Sequence, residues 1–273
     1  MCAGSPSRPA THRLAAIALL IVSSAANAQD AVRVYAAGSL RAVMGELGAA
    51  FEAGGGAKVE FVFGPSGVLR ERIERGEPAD VFASADMGHP KRLADSGRSN
   101  QAVPFAHNRL CALASPKVSV SEATLLDRIL DPAIKVGMST PLSDPSGDYT
   151  MQMFEKADRL QAGALATLTA KARRLVGGPD SPAPPKDRSV YAALVGSGEA
   201  DIFLTYCTNA LQAQHENHEL RVVKIPDALA VSAEYGLTVM KTARAQAAPF
   251  AEFVLSRGGQ DIIVKHGFAP ASK

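Results

Sequence analysis

The 273-residue chain has no tryptophan, and aromatic residues make up only 5% of it. A site that stacks sugar rings on large aromatic faces is therefore not indicated. Cysteine is scarce, with three in all and no CxxC pair, so the chain offers neither a zinc ribbon nor a dithiol redox motif. The six histidines are scattered. His215 and His218 share a polar segment (QAQHENHEL) without cysteines or carboxylates at metal-ligand spacing, and read as a solvated helix end or loop. A GxxxxGK[ST] phosphate loop, a GxGxxG after a strand and a G-x-S-x-G elbow are all missing. No internal repeat is strong enough to use. Nothing among these residues argues for catalysis.

Long apolar runs are missing too, with one exception at the N-terminus. Arg8, His12 and Arg13 form a basic head, Leu14 to Val22 (LAAIALLIV) is apolar, and small residues follow as far as Ala26-Asn27-Ala28. A run this short does not span a bilayer as a mature helix. The three regions together predict a signal peptide over residues 1–28, cleaved after the A-x-A pattern, and hence a secreted, periplasmic protein. The only nearby cysteine, Cys2, does not stand where lipidation at the cleavage point would need it. Losing the leader removes Arg8 and Arg13 and no acid, so 27 basic residues balance 27 acidic ones. That balance gives no electrostatic footprint for nucleic acid or an anionic membrane. Any anion must be held locally.

The mature length suits two lobes. Cys111 and Cys207 remain after cleavage. An oxidising compartment would let them pair across the 96 residues between them, but no framework of spacings supports it. Two small buried apolar side chains is the other reading.

Short apolar runs alternate with amphipathic stretches, the pattern of an α/β architecture. Val32–Ala36, Lys58–Phe63, Ala79–Ser84, Leu110–Ala114, Lys135–Met138 and Asp201–Thr205 are predicted strands. Leu40, Val43, Met44, Leu47 and Phe51 fall at helical spacing over Leu40–Glu52. Val68–Arg75 and Gln161–Val176 are further predicted helices, the second ended by Gly177-Gly178.

Two of the strand–helix turns carry a serine, in Gly38-Ser39 and in Gly64-Pro65-Ser66-Gly67. At a helix start the backbone N–H groups lack intrahelical partners and the dipole is positive. Two such starts aimed at one point would hold a tetrahedral oxyanion without a formal positive charge. Serine is also a common N-cap, so each turn alone has an ordinary structural reading.

Ala36-Ala37-Gly38-Ser39-Leu40, Phe63-Gly64-Pro65-Ser66-Gly67, the segment PADVFASAD (Pro78–Asp86) and VGSGEADIFLTYCTNA (Val195–Ala210) together resemble the periplasmic molybdate-binding proteins of ABC importers. The resemblance runs from about Val32 to the end. It implies a type II periplasmic-binding-protein fold, in which two α/β lobes are joined by crossing strands and the ligand lies in the cleft between them. The lobes would be residues 31–110 with 228–273, and residues 111–227, with crossovers near Arg109–Ala114 and Pro226–Tyr235. It implies molybdate or tungstate as ligand, no cofactor, and a monomer that docks on a membrane permease with its ATPase. Carried over by position, Ser39 and Ser66 match hydroxyl donors of the first lobe and Tyr206 a tyrosine donor of the second. Ser146 and Arg188 match positions that give a backbone N–H. Arg188 departs from the small apolar residue usual there. An arginine could add a charge-assisted contact, pair with Asp148, or face solvent; the first would suit a different anion, such as an organic carboxylate.

Overall fold

The computed structural model describes residues 1–4, 31–182 and 188–271. The basic head, apolar run and A-x-A pattern of the expected signal peptide lie outside the described residues, as does the proline-rich stretch 183–187. Among the described residues no helix is long and apolar enough to cross a membrane.

The first half of the chain forms β1 (Val32–Ala37), α1 (Arg41–Ala53), β2 (Val59–Gly64), α2 (Ser66–Glu74), β3 (Val81–Ser84), α3 (Gly88–Asp95) and β4 (Val103–Ala114). Next come α4 (Leu125–Leu130), β5 (Val136–Ser139), α5 (Pro145–Leu160), α6 (Ala164–Lys171) and β6 (Arg173–Val176). The remainder is α7 (Val190–Gly196), β7 (Ile202–Tyr206), α8 (Cys207–Glu216), β8 (Arg221–Lys224), β9 (Ser232–Val239), α9 (Ala247–Leu255), α10 (Arg257–Lys265) and β10 (Ala269–Pro270).

Local pattern accounts for most of these elements. On α1, Val43, Met44, Leu47 and Phe51 are buried together with Leu40 of the 3₁₀ turn Gly38–Leu40 that precedes it, which is the apolar stripe the spacing predicts. β3 is buried along its whole length, as expected of a strand covered on both faces. One expectation fails. Gln161–Val176 is not one helix: α6 stops at Lys171, Ala172 turns extended (φ −67°, ψ 126°), and Arg173–Val176 becomes β6. Its backbone pairs in parallel with β5, and those ladder bonds override the helical spacing. β4 is also longer than expected, beginning at Val103.

The strands run in the order β2-β1-β3-β9-β4-β7-β5-β6, with β8 and β10 added on β4. β1 pairs in parallel with β2 and β3, and β5 in parallel with β6 and β7. The two parallel groups thus repeat one arrangement, each flanked by an antiparallel neighbour. β4 joins them. Its residues Val103 to Arg109 pair with β9, and Leu110 to Ala114 pair with β7 and β8. This is the two-lobed α/β periplasmic-binding-protein fold.

The lobes touch where α2 begins. The Gly67 N–H donates to the Ser143 carbonyl at 2.9 Å. A Cβ at this glycine would lie 2.5 Å from the Leu142 carbonyl oxygen and 2.9 Å from that of Ser143. These are backbone atoms that cannot swing aside. Gly67→Ala is therefore expected to keep the lobes apart. Small-angle scattering should show a larger radius of gyration for the variant, with a melting temperature within a few degrees of the parent's.

Cys111, just past the point where β4 changes sheet, and Cys207, the first residue of α8, form a disulfide with a Cα–Cα distance of 4.8 Å. Pairing, rather than two separate buried thiols, is thus the arrangement found. Replacing both by serine should lower unfolding stability by about 2–4 kcal/mol, the usual worth of such a cross-link. Chemical denaturation with and without reductant measures this, and the serine variant should be insensitive to the reductant.

Candidate functional site

Ligands of open parallel sheets collect beyond the carboxyl ends of the strands, where helix starts leave amides unpaired. In this molecule those ends meet. Ala37 at the end of β1 with Gly38 after it, Gly64 at the end of β2 with Pro65 after it, and Ala85 after β3 face Val176 of β6 and Tyr206 of β7 across a cavity of about 90 Å³. That is far below the roughly 300–1,000 Å³ of clefts that take drug-sized molecules. The lining admits a small ligand.

Three of the five expected site residues line this cavity: Ser39, Ser66 and Tyr206. Ser66 opens α2 and is only 1% exposed. Its Oγ accepts the Ala85 N–H at 3.1 Å, which leaves the hydroxyl hydrogen to be donated elsewhere. Ser39 sits on the 3₁₀ turn with its Oγ 3.0 Å from the Tyr235 hydroxyl, and either group can donate. Asn108 Nδ2 donates to Tyr235 Oη (3.4 Å) and to Thr208 Oγ1 (2.9 Å). With Asn108 donating to Tyr235 and Tyr235 to Ser39, the Ser39 hydrogen is free for the cavity. Tyr206 ends β7 with its hydroxyl donating to the Ala85 carbonyl at 3.3 Å, long for an O–H···O bond and easily exchanged for a better acceptor. Burial pushes its pKa well above 10, so it is a neutral donor.

The other two expected residues lie elsewhere. Ser146 is buried in the first turn of α5 and is not among the lining residues. Its N–H donates to Asp144 Oδ1 at 3.0 Å, so the amide expected to face a ligand serves a helix cap instead. Arg188 is exposed and also outside the lining. The Ser189 N–H beside it is held by Glu216 Oε2 at 2.6 Å, and Ser189 Oγ caps α7 by accepting from Ala192. Val190, the first residue of α7, lines the cavity instead. Of the three outcomes weighed for the arginine, the exposed side chain matches solvent.

Two charged lining residues were not anticipated. Arg41 is exposed at the start of α1, its guanidinium 4.5 Å from the centre of the Phe63 ring. Asp144 is the N-cap of α5, and burial raises its carboxyl to a pKa of about 6 against the lowering effect of the Ser146 amide. The sequence did hold a signal for it, since Asp-Pro-Ser opening a helix is a cap pattern. That the cap also faces the cavity is a matter of tertiary structure.

The PADVFASAD segment divides into support and lining. Asp80 accepts from the amides of Arg33 (2.7 Å) and Arg244 (2.9 Å) and pairs with the Arg244 guanidinium, tying β3 to β1 and to the chain after β9. Asp86 accepts from Ser84 Oγ (2.7 Å) and the His89 amide (3.2 Å), shaping the entry to α3. Ala85, between them, is the residue bonded by both Ser66 and Tyr206.

Comparison with known proteins bears on the family and the fold. A relative from Pasteurella multocida, the uncharacterized protein PM1146, is 36% identical over 243 residues, covering 88% of this chain and 99% of the relative. The molybdate-binding protein ModA of Mycobacterium tuberculosis is 29% identical over 245 residues, covering 86% of this chain and 83% of the relative. Among solved structures, the sulfate-binding protein SubI of Mycobacterium tuberculosis superposes with a TM-score of 0.74 at 20% identity, covering 89% of this chain and 87% of that one. The family model for bacterial extracellular solute-binding proteins matches residues 32–269, and with its sheet order and the cavity between its lobes the chain belongs to that family.

Proposed function

We propose that this protein is the periplasmic solute-binding component of an ABC importer and that it captures molybdate or tungstate between its lobes. The observation that carries the reading is the convergence of Ser39, Ser66 and Tyr206, from three separate elements, on one small cavity. Neutral hydroxyls and helix-start amides can replace the water around a tetrahedral dianion, and a cavity of this size selects by fit and hydrogen-bond geometry. The relative named as molybdate-binding supports the choice of anion. The lobes, residues 31–110 with 228–273 and residues 111–227, close as two bodies about β4 and the chain leading into β9, because the ligand's oxygens accept from both at once. The closed form then presents a surface to a permease. Ser39, Ser66 and Tyr206 act through their hydroxyls, and Val190 in place of Arg188 offers the amide of α7.

Titration calorimetry with molybdate, tungstate, sulfate, phosphate and an organic carboxylate such as citrate tests the reading. Molybdate and tungstate should bind, and Ser39→Ala, Ser66→Ala and Tyr206→Phe should each weaken binding by about 10- to 150-fold, the worth of one hydrogen bond to a charged group. Absence of heat with both metal oxyanions, together with heat from an organic carboxylate, would replace the ligand while leaving the fold in place.

The outward position of Arg188 gives a separate expectation. Arg188→Val should change molybdate affinity by no more than about twofold, as befits an exposed side chain clear of the cavity. The same calorimetry measures it.

A further inference from the structure

We propose that Asp144 makes a proton part of the bound complex, so that the cavity takes its oxyanion together with one hydrogen shared between the Asp144 carboxyl and a ligand oxygen. The inference rests on the anion-binding reading above and adds to it a determinant of which anion is accepted and at what pH.

The observation is an acceptor among donors. Ser39, Ser66 and Tyr206, each with a hydroxyl to donate, line the cavity, and Asp144, with a carboxyl, lines the same space. An ionised carboxylate only accepts hydrogen bonds, and so do the oxygens of a tetrahedral dianion. Two such groups sharing a dehydrated site cannot both stay charged, and one proton between them turns a repulsion into a charge-assisted hydrogen bond.

The side chain is not free to swing away. Oδ1 is held by the Ser146 amide, and Gly177 covers the other side so closely that a Cβ there would lie 2.6 Å from Oδ2. Gly177 has φ +79°, a conformation glycine adopts without strain. Protonation does not cost the cap, because Oδ1 can keep the Ser146 amide while the other oxygen donates.

Burial above all, and to a lesser degree Asp148 one turn along α5, raise the Asp144 pKa, while the Ser146 amide and the Ser139 hydroxyl oppose them. Tyr191 and Tyr206 are neutral at physiological pH, each with its pKa raised by burial and by the Asp144 charge. Tyr235 is also neutral, for the same reasons. Arg41 is the cation lining the cavity from the other lobe, and it is exposed. In the free protein the carboxyl titrates at about 6. A bound dianion raises that value, so binding near neutral pH draws a proton from solvent. Affinity is then level below the free carboxyl's titration and falls about tenfold per pH unit above it. Molybdate and sulfate carry no proton near neutrality and must acquire this one. Hydrogen phosphate and hydrogen arsenate bring their own.

Molybdate titrations between pH 6 and 8.5, repeated in buffers of different ionisation heat, count the protons directly. The expected result is uptake approaching one proton at pH 7.5 and a tenfold loss of affinity from pH 7 to pH 8. Asp144→Asn keeps the cap oxygen and supplies a donor. It should abolish proton uptake, flatten the pH profile and bind at least tenfold more tightly than the parent at pH 8.5. Asp148→Asn, outside the cavity, should leave the proton count unchanged. A parent protein that binds molybdate with a flat profile and no proton uptake overturns this proposal alone. A parent that binds no oxyanion at any pH removes the anion-binding reading, and this proposal falls with it.

Discussion

A parallel sheet leaves unpaired amides and hydroxyls at the helix starts beyond its strands, and a small anion without its water needs such donors on more than one side. Neither sheet group here can enclose a ligand alone. β4 removes that limit by pairing with β9 through Arg109 and with β7 from Leu110 onward. Ser39 and Ser66 reach the cavity from one group and Tyr206 from the other. On the proposed reading the lobes close about β4, so the element that builds the cavity would also be the one about which it opens.

Close approach of backbone around the cavity rests on positions without a side chain. The Gly67 amide bonds the Ser143 carbonyl across the interface, and Gly177 lies against Asp144. The first contact sets how far α2 can advance on the second lobe, and the second sets where a carboxyl can sit. Ala85 plays a related part: its N–H and carbonyl are partnered by Ser66 and Tyr206, so the backbone after β3 couples a hydroxyl from each lobe.

What was readable in the sequence was what depends on neighbours along the chain. Ser39 and Ser66 each follow a strand and open a helical region, so their placement at a strand end is local. The stripe from Leu40 to Phe51 is local too, and α1 buries it. Arg188 was reached by counting back from Tyr206, and the count ignores how the chain winds into α7, where Glu216 holds the Ser189 amide and Val190 faces inward. Asp144 was not singled out: Asp-Pro-Ser is a helix-cap pattern, and nothing nearby in the sequence says that the cap borders a cavity. β6 was misread because its pairing with β5 lies outside any local period. The α/β class followed from patterns and the two-lobed fold and Tyr206 from the resemblance, whereas Asp144, Val176 and Val190 join the cavity through distant contacts.

The same distance hides the disulfide, and its position bears on the ligand. Leu110 and Tyr206 are register partners on β4 and β7, and the next residue of each segment is a bonded cysteine. The covalent tie thus lies one residue beyond the tyrosine, at the point where β4 changes sheets. Oxidation forms this link only in a compartment that permits it, which is where the leader-like N-terminus would send the chain. The backbone after Tyr206 is pinned to β4, so in the lobe closure proposed above the tyrosine would swing as part of the second sheet, with α8 held to β4. A donor so held would meet the ligand in one fixed orientation at each closure, which is what selection by hydrogen-bond geometry requires.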